Sequence, residues 1–133
     1  MADETTKVEG PYEIHDFTIA DAQAVEQGAI CLLSDPRTCS GSGLDTGVAF
    51  AGIAASEKVA SNGKIELGLY TSGIFVMTAV AGGGVTAGNQ VVISGANTIR
   101  PAVAGDLLTD AVIGVALEDI GAGTTGEVKV GGN

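Results

Sequence analysis

An all-β domain is predicted here, a small barrel or sandwich with at most one short helix, and three observations carry that prediction. Short apolar runs with a two-residue alternation recur along the chain, as expected of half-buried strands. Glycine is abundant, 21 of 133 residues, and spread without a Gly-X-Y period, which suits many tight turns and excludes collagen. Similar strand units also recur in the same order in both halves of the chain.

The elements follow in chain order. Residues 1–16 read as an N-terminal arm leading into a first strand. The first ten are polar and end in Gly10-Pro11; extended, they reach about 30 Å. They fit either an arm that is mobile in the free protein or a frayed terminus. Tyr12 to Ile19 alternates, with a phase slip expected near Asp16. Ala29 to Leu33 and Val48 to Ala55 are apolar runs, the second with Gly52 inside it. Ile65, Leu67 and Leu69 share one strand face. Ser72-Gly73 turns into Ile74 to Ala79. Gln90 to Ser94, Val112 to Leu117 and Glu127 to Val130 complete the strands. Ile19 to Gln27 and Ala104 to Asp110 are the two segments with helical character.

The repeat is the most informative feature. Ala24-Val25-Glu26-Gln27-Gly28 aligns with Gly84-Val85-Thr86-Ala87-Gly88, and each runs into a strand ending in Ser34 or Ser94. Ala51-Gly52-Ile53-Ala54 aligns with Ile113-Gly114-Val115-Ala116, and Gly63 to Leu67 with Gly126 to Val130. Residues 17–133 therefore read as one β domain with half-repeats at about 24–70 and 84–131, or as chance similarity among Gly-, Ala- and Val-rich strings. One half has too few strands to bury its apolar face alone, so two packed halves would close the barrel and hide its edges. The Gly inside each middle strand marks a bulge or a close backbone approach.

Composition narrows the function classes. The formal net charge is −10 with only six Lys and Arg, so nucleic acid, which is bound through cations, is not expected as a partner. No segment reaches the roughly 18 apolar residues of a membrane helix, and the polar start predicts no signal peptide and a soluble chain made in a cytoplasm. The apolar fraction is 45%, yet there is no Trp and only five Phe and Tyr. Such a core gains little from large side chains, so contacts with other subunits are expected to add stability. Cys31 and Cys39 fit either a strand thiol plus a loop thiol or a disulfide formed in an oxidising setting.

No catalytic, cofactor-binding or metal-binding residue is predicted. His15 is the one histidine, and no nucleophile motif accompanies it; it reads as a partly exposed strand residue. Gly121 to Gly126 spells G-x-G-x-x-G but leads into a strand, where a dinucleotide site needs a helix. Asn62-Gly63-Lys64-Ile65 lacks the rest of a P-loop. Asp106, Asp110, Glu118 and Asp119 form no calcium loop. The segment Ser34 to Thr46 is long for a hairpin and carries Arg37, a favoured interface residue type; it is either a binding loop or a plain connector.

The order of the motifs Val25 to Gly28, Ala51 to Ala54, Ile65 to Tyr70 with Gly73-Ile74-Phe75, Thr86 to Val91, Ile113 to Glu118 and Gly126 to Val130 resembles the small phage head decoration (cement) proteins, a family sometimes mislabelled as a phage recombinase. The resemblance covers about residues 20 to 131. It departs from the family in a longer N-terminal extension and a longer Ser34 to Thr46 loop. It implies a non-enzymatic homotrimer on the outer capsid surface of a virion, bracing neighbouring copies of the major capsid protein. The contact candidates are Tyr12, Ile14, His15, Arg37 and Phe75. The competing class is a β-domain of another extracellular assembly, such as a tail component or a carbohydrate-binding module.

Overall fold

The computed structural model describes residues 4–41, 48–103 and 111–131. Among them lie eleven strands and no helix. The first is β1 (Thr6–Glu9). Then come β2 (Ile14–Ile19), β3 (Ile30–Asp35), β4 (Thr38–Gly41), β5 (Phe50–Ala54) and β6 (Glu66–Tyr70), which close a barrel in the order β2-β4-β3-β5-β6. After the Thr71-Ser72 connection follow β7 (Gly73–Ala79), β8 (Gln90–Ile93), β9 (Thr98–Pro101), β10 (Gly114–Ala116) and β11 (Thr125–Val130). These run in the order β7-β11-β10-β8-β9, and a β7–β9 pairing closes the second barrel. β1 is a sixth strand laid on β7 from outside that ring.

The two barrels are copies of one plan. β4 lies parallel to β2 through Thr18–Thr38 and Ile19–Cys39, and β9 lies parallel to β7 through Thr78–Thr98 and Ala79–Ile99, each residue displaced by sixty. Isolated bridges Val25–Lys58 and Val85–Ile120 close the same corner of each unit. Gly28 N–H donates to Ala54 O over 2.9 Å, and Gly88 N–H to Ala116 O over 2.8 Å. The duplication is therefore real at the level of hydrogen bonds. Its last strands pair differently from the sequence alignment. Ile19 N–H donates to Ile65 O and Ala79 N–H to Thr124 O, so Leu67 corresponds to Gly126 and Leu69 to Val128, a slip of four residues. An even slip keeps the same face of a strand inward, so alternation alone could not detect it.

The expected all-β domain of two duplicated halves is found, and each half closes a five-stranded barrel of its own. Several expectations change. The fifth strand comes from the segment read as a long loop: Ser34 to Gly41 belongs to a hairpin in which Arg37 sits at φ 50°, while 42–47 lie outside the described residues. Ile19 to Gln27 is not helical; it leaves β2 through a turn to the Val25 bridge, because Val25 is pinned to Lys58 on both backbone groups. Ala104 to Asp110 lies outside the described residues. The phase slip at Asp16 is absent: the β2–β6 register runs unbroken from Ile14–Tyr70 to Thr18–Glu66. Phe17 and Ile19 thus face inward, Ile14, Asp16 and Thr18 face outward, and His15 stands exposed.

The glycines of the middle strands do what their placement suggests. A Cβ on Gly52 would stand 2.7 Å from Leu69 Cβ and 2.8 Å from Tyr70 O, and one on Gly114 would collide with the Lys129 carbonyl. Neighbouring strands cross there at backbone contact, which lets so few strands curl shut.

Each barrel has its own filling. The first is packed with Ile19, Val25, Ala29, Cys31, Cys39, Ala54, Leu67 and Leu69, mostly small side chains. The second holds larger ones, among them Met77, Ile93, Ile99, Ile120 and Val128. The outer face of the first barrel, with Ile30, Leu32, Ile53 and Tyr70, joins the second barrel's cluster. The barrels are thus joined by an apolar face rather than tethered as beads. Gly114→Ala should cost about 1–3 kcal/mol through overpacking, read as a lower urea midpoint with an unchanged slope.

Candidate functional site

Two of the five contact candidates hold the molecule together. Phe75 is 0% exposed, and Tyr12 is half-buried against it. The Tyr12, Tyr70 and Phe75 rings form a triangle with centroids 5.3, 5.5 and 5.8 Å apart in tilted or edge-on geometry, the arrangements that aromatic quadrupoles favour. Lys7 Nζ sits 5.5 Å above the Tyr12 ring and 5.1 Å above that of Tyr70 and donates to Tyr70 Oη over 2.9 Å. That hydrogen bond raises the Lys7 pKa above its ordinary value. Thr5 donates both N–H and Oγ1 to Gly28 O, each over 2.8 Å. The N-terminal segment therefore spans both barrels, walling a cleft of about 320 Å³ between Thr5, Lys7, Gln27, Gly28, Ile53 and Tyr70.

A second tie comes from the β8–β9 hairpin. Asn97, 0% exposed and at φ 60°, accepts the Ile30 N–H on Oδ1 over 2.8 Å. This joins the turn of the second barrel to a strand of the first. Sequence reading missed Asn97. The repeat carried the signal, because Asn97 stands sixty residues after Arg37, at the same left-handed turn position.

The other three candidates gather at one rim of the first barrel. Ile14 is 53% exposed. His15 Nε2 lies 3.6 Å from Glu13 Oε2, with both side chains at least half exposed. Arg37 donates Nε to Asp16 O over 3.0 Å and lays its guanidinium 5.3 Å from the Phe17 ring centroid. The arrangement presents an exposed aliphatic group, carboxylates and a fixed arginine, which suits surface recognition.

The remaining motifs have local structural roles. Residues 121–126 turn into β11, with Gly123 at φ 72°. Asn62 Oδ1 accepts the Lys64 N–H over 3.0 Å. Glu118 Oε2 accepts from Glu127 N–H and Asp119 Oδ1 from Ala87 N–H, each over 2.9 Å; Asp106 and Asp110 lie outside the described residues. No group of three His, Cys, Asp or Glu side chains among the described residues converges on a point that would hold a metal.

Neither the burial of Lys58 nor that of Cys39 in a strand was foreseen. Lys58, 1% exposed, plugs the base of the first barrel. Its Nζ donates to Asp21 O and Val59 O over 2.8 Å and to Asp21 Oδ1 over 3.2 Å. Ile120 takes its place in the second barrel. Cys31 and Cys39 are both buried free thiols, the second in a strand rather than a loop. They stand diagonally across β3 and β4 and face each other in the barrel. Their mutual hydrogen bond, with burial, pushes Cys31 well above the usual thiol range, and the same hydrogen bond lowers Cys39.

No family model matches the chain, and no curated protein matches it. Among solved structures, the fold is similar to that in the crystal structure of the head fibre gp8.5 N base in bacteriophage phi29. The likeness covers 91% of this chain and 95% of that one, with a TM-score of 0.54 at 13% identity.

Asn97→Ala leaves the Ile30 N–H buried without its acceptor and should cost about 1–3 kcal/mol, measured by denaturant unfolding. Both thiols should stay unreactive to an aromatic disulfide reagent in the native protein and react together on denaturation; rapid native reaction would show that the first barrel opens.

Proposed function

We propose that this chain is a structural protein of a virus head, a decoration protein seated on the outer capsid surface and bracing neighbouring major capsid proteins. The observation that carries the reading is the shared fold over almost the whole length of both chains with a protein of a phage head. The motif order read from the sequence points the same way. In this role the rim of Ile14, His15 and Arg37 faces the shell, and three copies meet around a three-fold position. Tyr12 and Phe75 contribute indirectly by keeping the barrels rigid.

Stabilisation would come from mass action: a protein that binds the assembled shell and not its separated parts lowers the free energy of the shell alone. The acidity of the chain fits a surface protein that stays soluble before it is captured.

A second reading is favoured by the neighbour itself, which is the N base of a head fibre. Here the two barrels would anchor further fibre sequence to the head. A carbohydrate-binding module fits less well. All five aromatic residues are buried or half-buried, so none offers the open flat ring on which a sugar stacks.

The test uses heads stripped of this protein. Added back, it should co-sediment with intact heads and raise their rupture temperature, and Arg37→Glu should weaken the binding at least tenfold with the fold intact. Failure to co-sediment would overturn both head readings. Binding with no effect on rupture would favour the fibre base.

A further inference from the structure

The internal repeat exposes one place where the barrels are not equally finished. On β7, the edge away from β11 has two occupants. β9 runs parallel to Thr78 and Ala79, and β1 runs antiparallel to Ile74 to Val76. β2 is the corresponding strand of the first barrel. β4 holds Thr18 and Ile19 there, but no strand among the described residues lies beside Ile14 to Asp16.

The backbone of that segment is turned the right way to take one. In the β2–β6 ladder the bonded positions are odd: Thr71 N–H donates to Glu13 O and Ile19 N–H to Ile65 O. Alternation in an antiparallel pair then points the backbone groups of Ile14 and Asp16 toward the opposite edge. Thr18 shows the same direction, since its N–H reaches Arg37 O over 2.8 Å. On this edge the Asp16 carbonyl takes the Arg37 Nε, a side chain standing where the other barrel has a strand.

We propose that the Ile14–Asp16 edge of β2 is a strand-addition site for an extended segment of another protein, one that alternates basic and apolar side chains. Strand addition is a recurring mode of peptide capture, with main-chain bonds giving affinity and neighbouring side chains giving choice. Glu13 and Asp16 are exposed at this end of β2 and favour a cationic guest. Ile14, 53% exposed, offers an apolar contact. A second copy of this chain fits worse: each carries a formal net charge of −10, and its own added strand, Thr6–Glu9, bears one Lys and one Glu.

The test needs no virus head, so it stands apart from the head-binding reading. Isotope-labelled protein is titrated with three synthetic peptides: Lys-Val-Lys-Val-Lys-Val, Glu-Val-Glu-Val-Glu-Val, and residues 4–10 of this chain. The basic peptide should shift the Ile14 and Asp16 amide resonances and bind at least tenfold tighter than the other two. Ile14→Pro removes the outward N–H and the aliphatic contact at the start of a strand, where proline is tolerated. It should abolish the shifts with little change in unfolding temperature. Asp16→Lys should weaken the basic peptide at least tenfold and carries the test if the proline variant does not fold. Absence of shifts at these amides overturns the proposal, as does equal binding of the acidic peptide. Tighter binding of residues 4–10 would replace the foreign guest with a second copy and overturn it equally.

Discussion

The structure depends on a very short closing contact. In each barrel a parallel pairing of only two residues, Thr18–Thr38 with Ile19–Cys39 or Thr78–Thr98 with Ala79–Ile99, joins the first strand to the third. Parallel neighbours need a crossover between them, and here the second strand and a tight hairpin supply it. Because the contact ends after two residues, the rest of the first strand keeps a free edge. The second barrel covers that edge with β1; in the first, among the described residues, the Arg37 side chain stands there instead.

Divergence between the copies follows from their different surroundings. Position 75 must seal the junction and is a phenylalanine; its counterpart fifteen residues from the start faces the open rim and is His15. Asn97 is buried at the turn that docks on the first barrel, whereas Arg37 stands exposed and reaches back only to Asp16 and Phe17 of its own barrel among the described residues. Ile120 fills the corner that Lys58 fills in the first barrel, where Asp21 and two carbonyls make a buried ammonium tolerable. The polar, exposed choices, His15 and Arg37, stand on the first barrel.

The N-terminal segment has a role in cohesion that its composition hides. Its strand residues are all exposed, yet Thr5 and Lys7 reach Gly28 in one barrel and the aromatic triangle between the two. Hydrogen bonding and ring contacts, rather than burial of apolar side chains, fasten it. A polar sequence is therefore no guide to whether such a segment is docked.

The amino-acid sequence by itself determined the all-β class, most of the longer strands, the duplication and the need for glycine at 52 and 114. Each of these is a local or periodic property, set by alternation and by the absence of a Cβ. It also brought Ile14, His15 and Arg37 forward as surface candidates, although it grouped them with Phe75, which the fold buries. Only the tertiary structure decided that each half closes alone, that the short strands β1, β4 and β9 exist, and that Asn97 and Lys58 are buried. Those outcomes rest on partners distant along the chain: a four-residue polar strand has too little pattern of its own, and its state is set by the edge it meets. The free edge of β2 is the extreme case, since it is defined by a neighbour that one barrel has and the other, among the described residues, lacks.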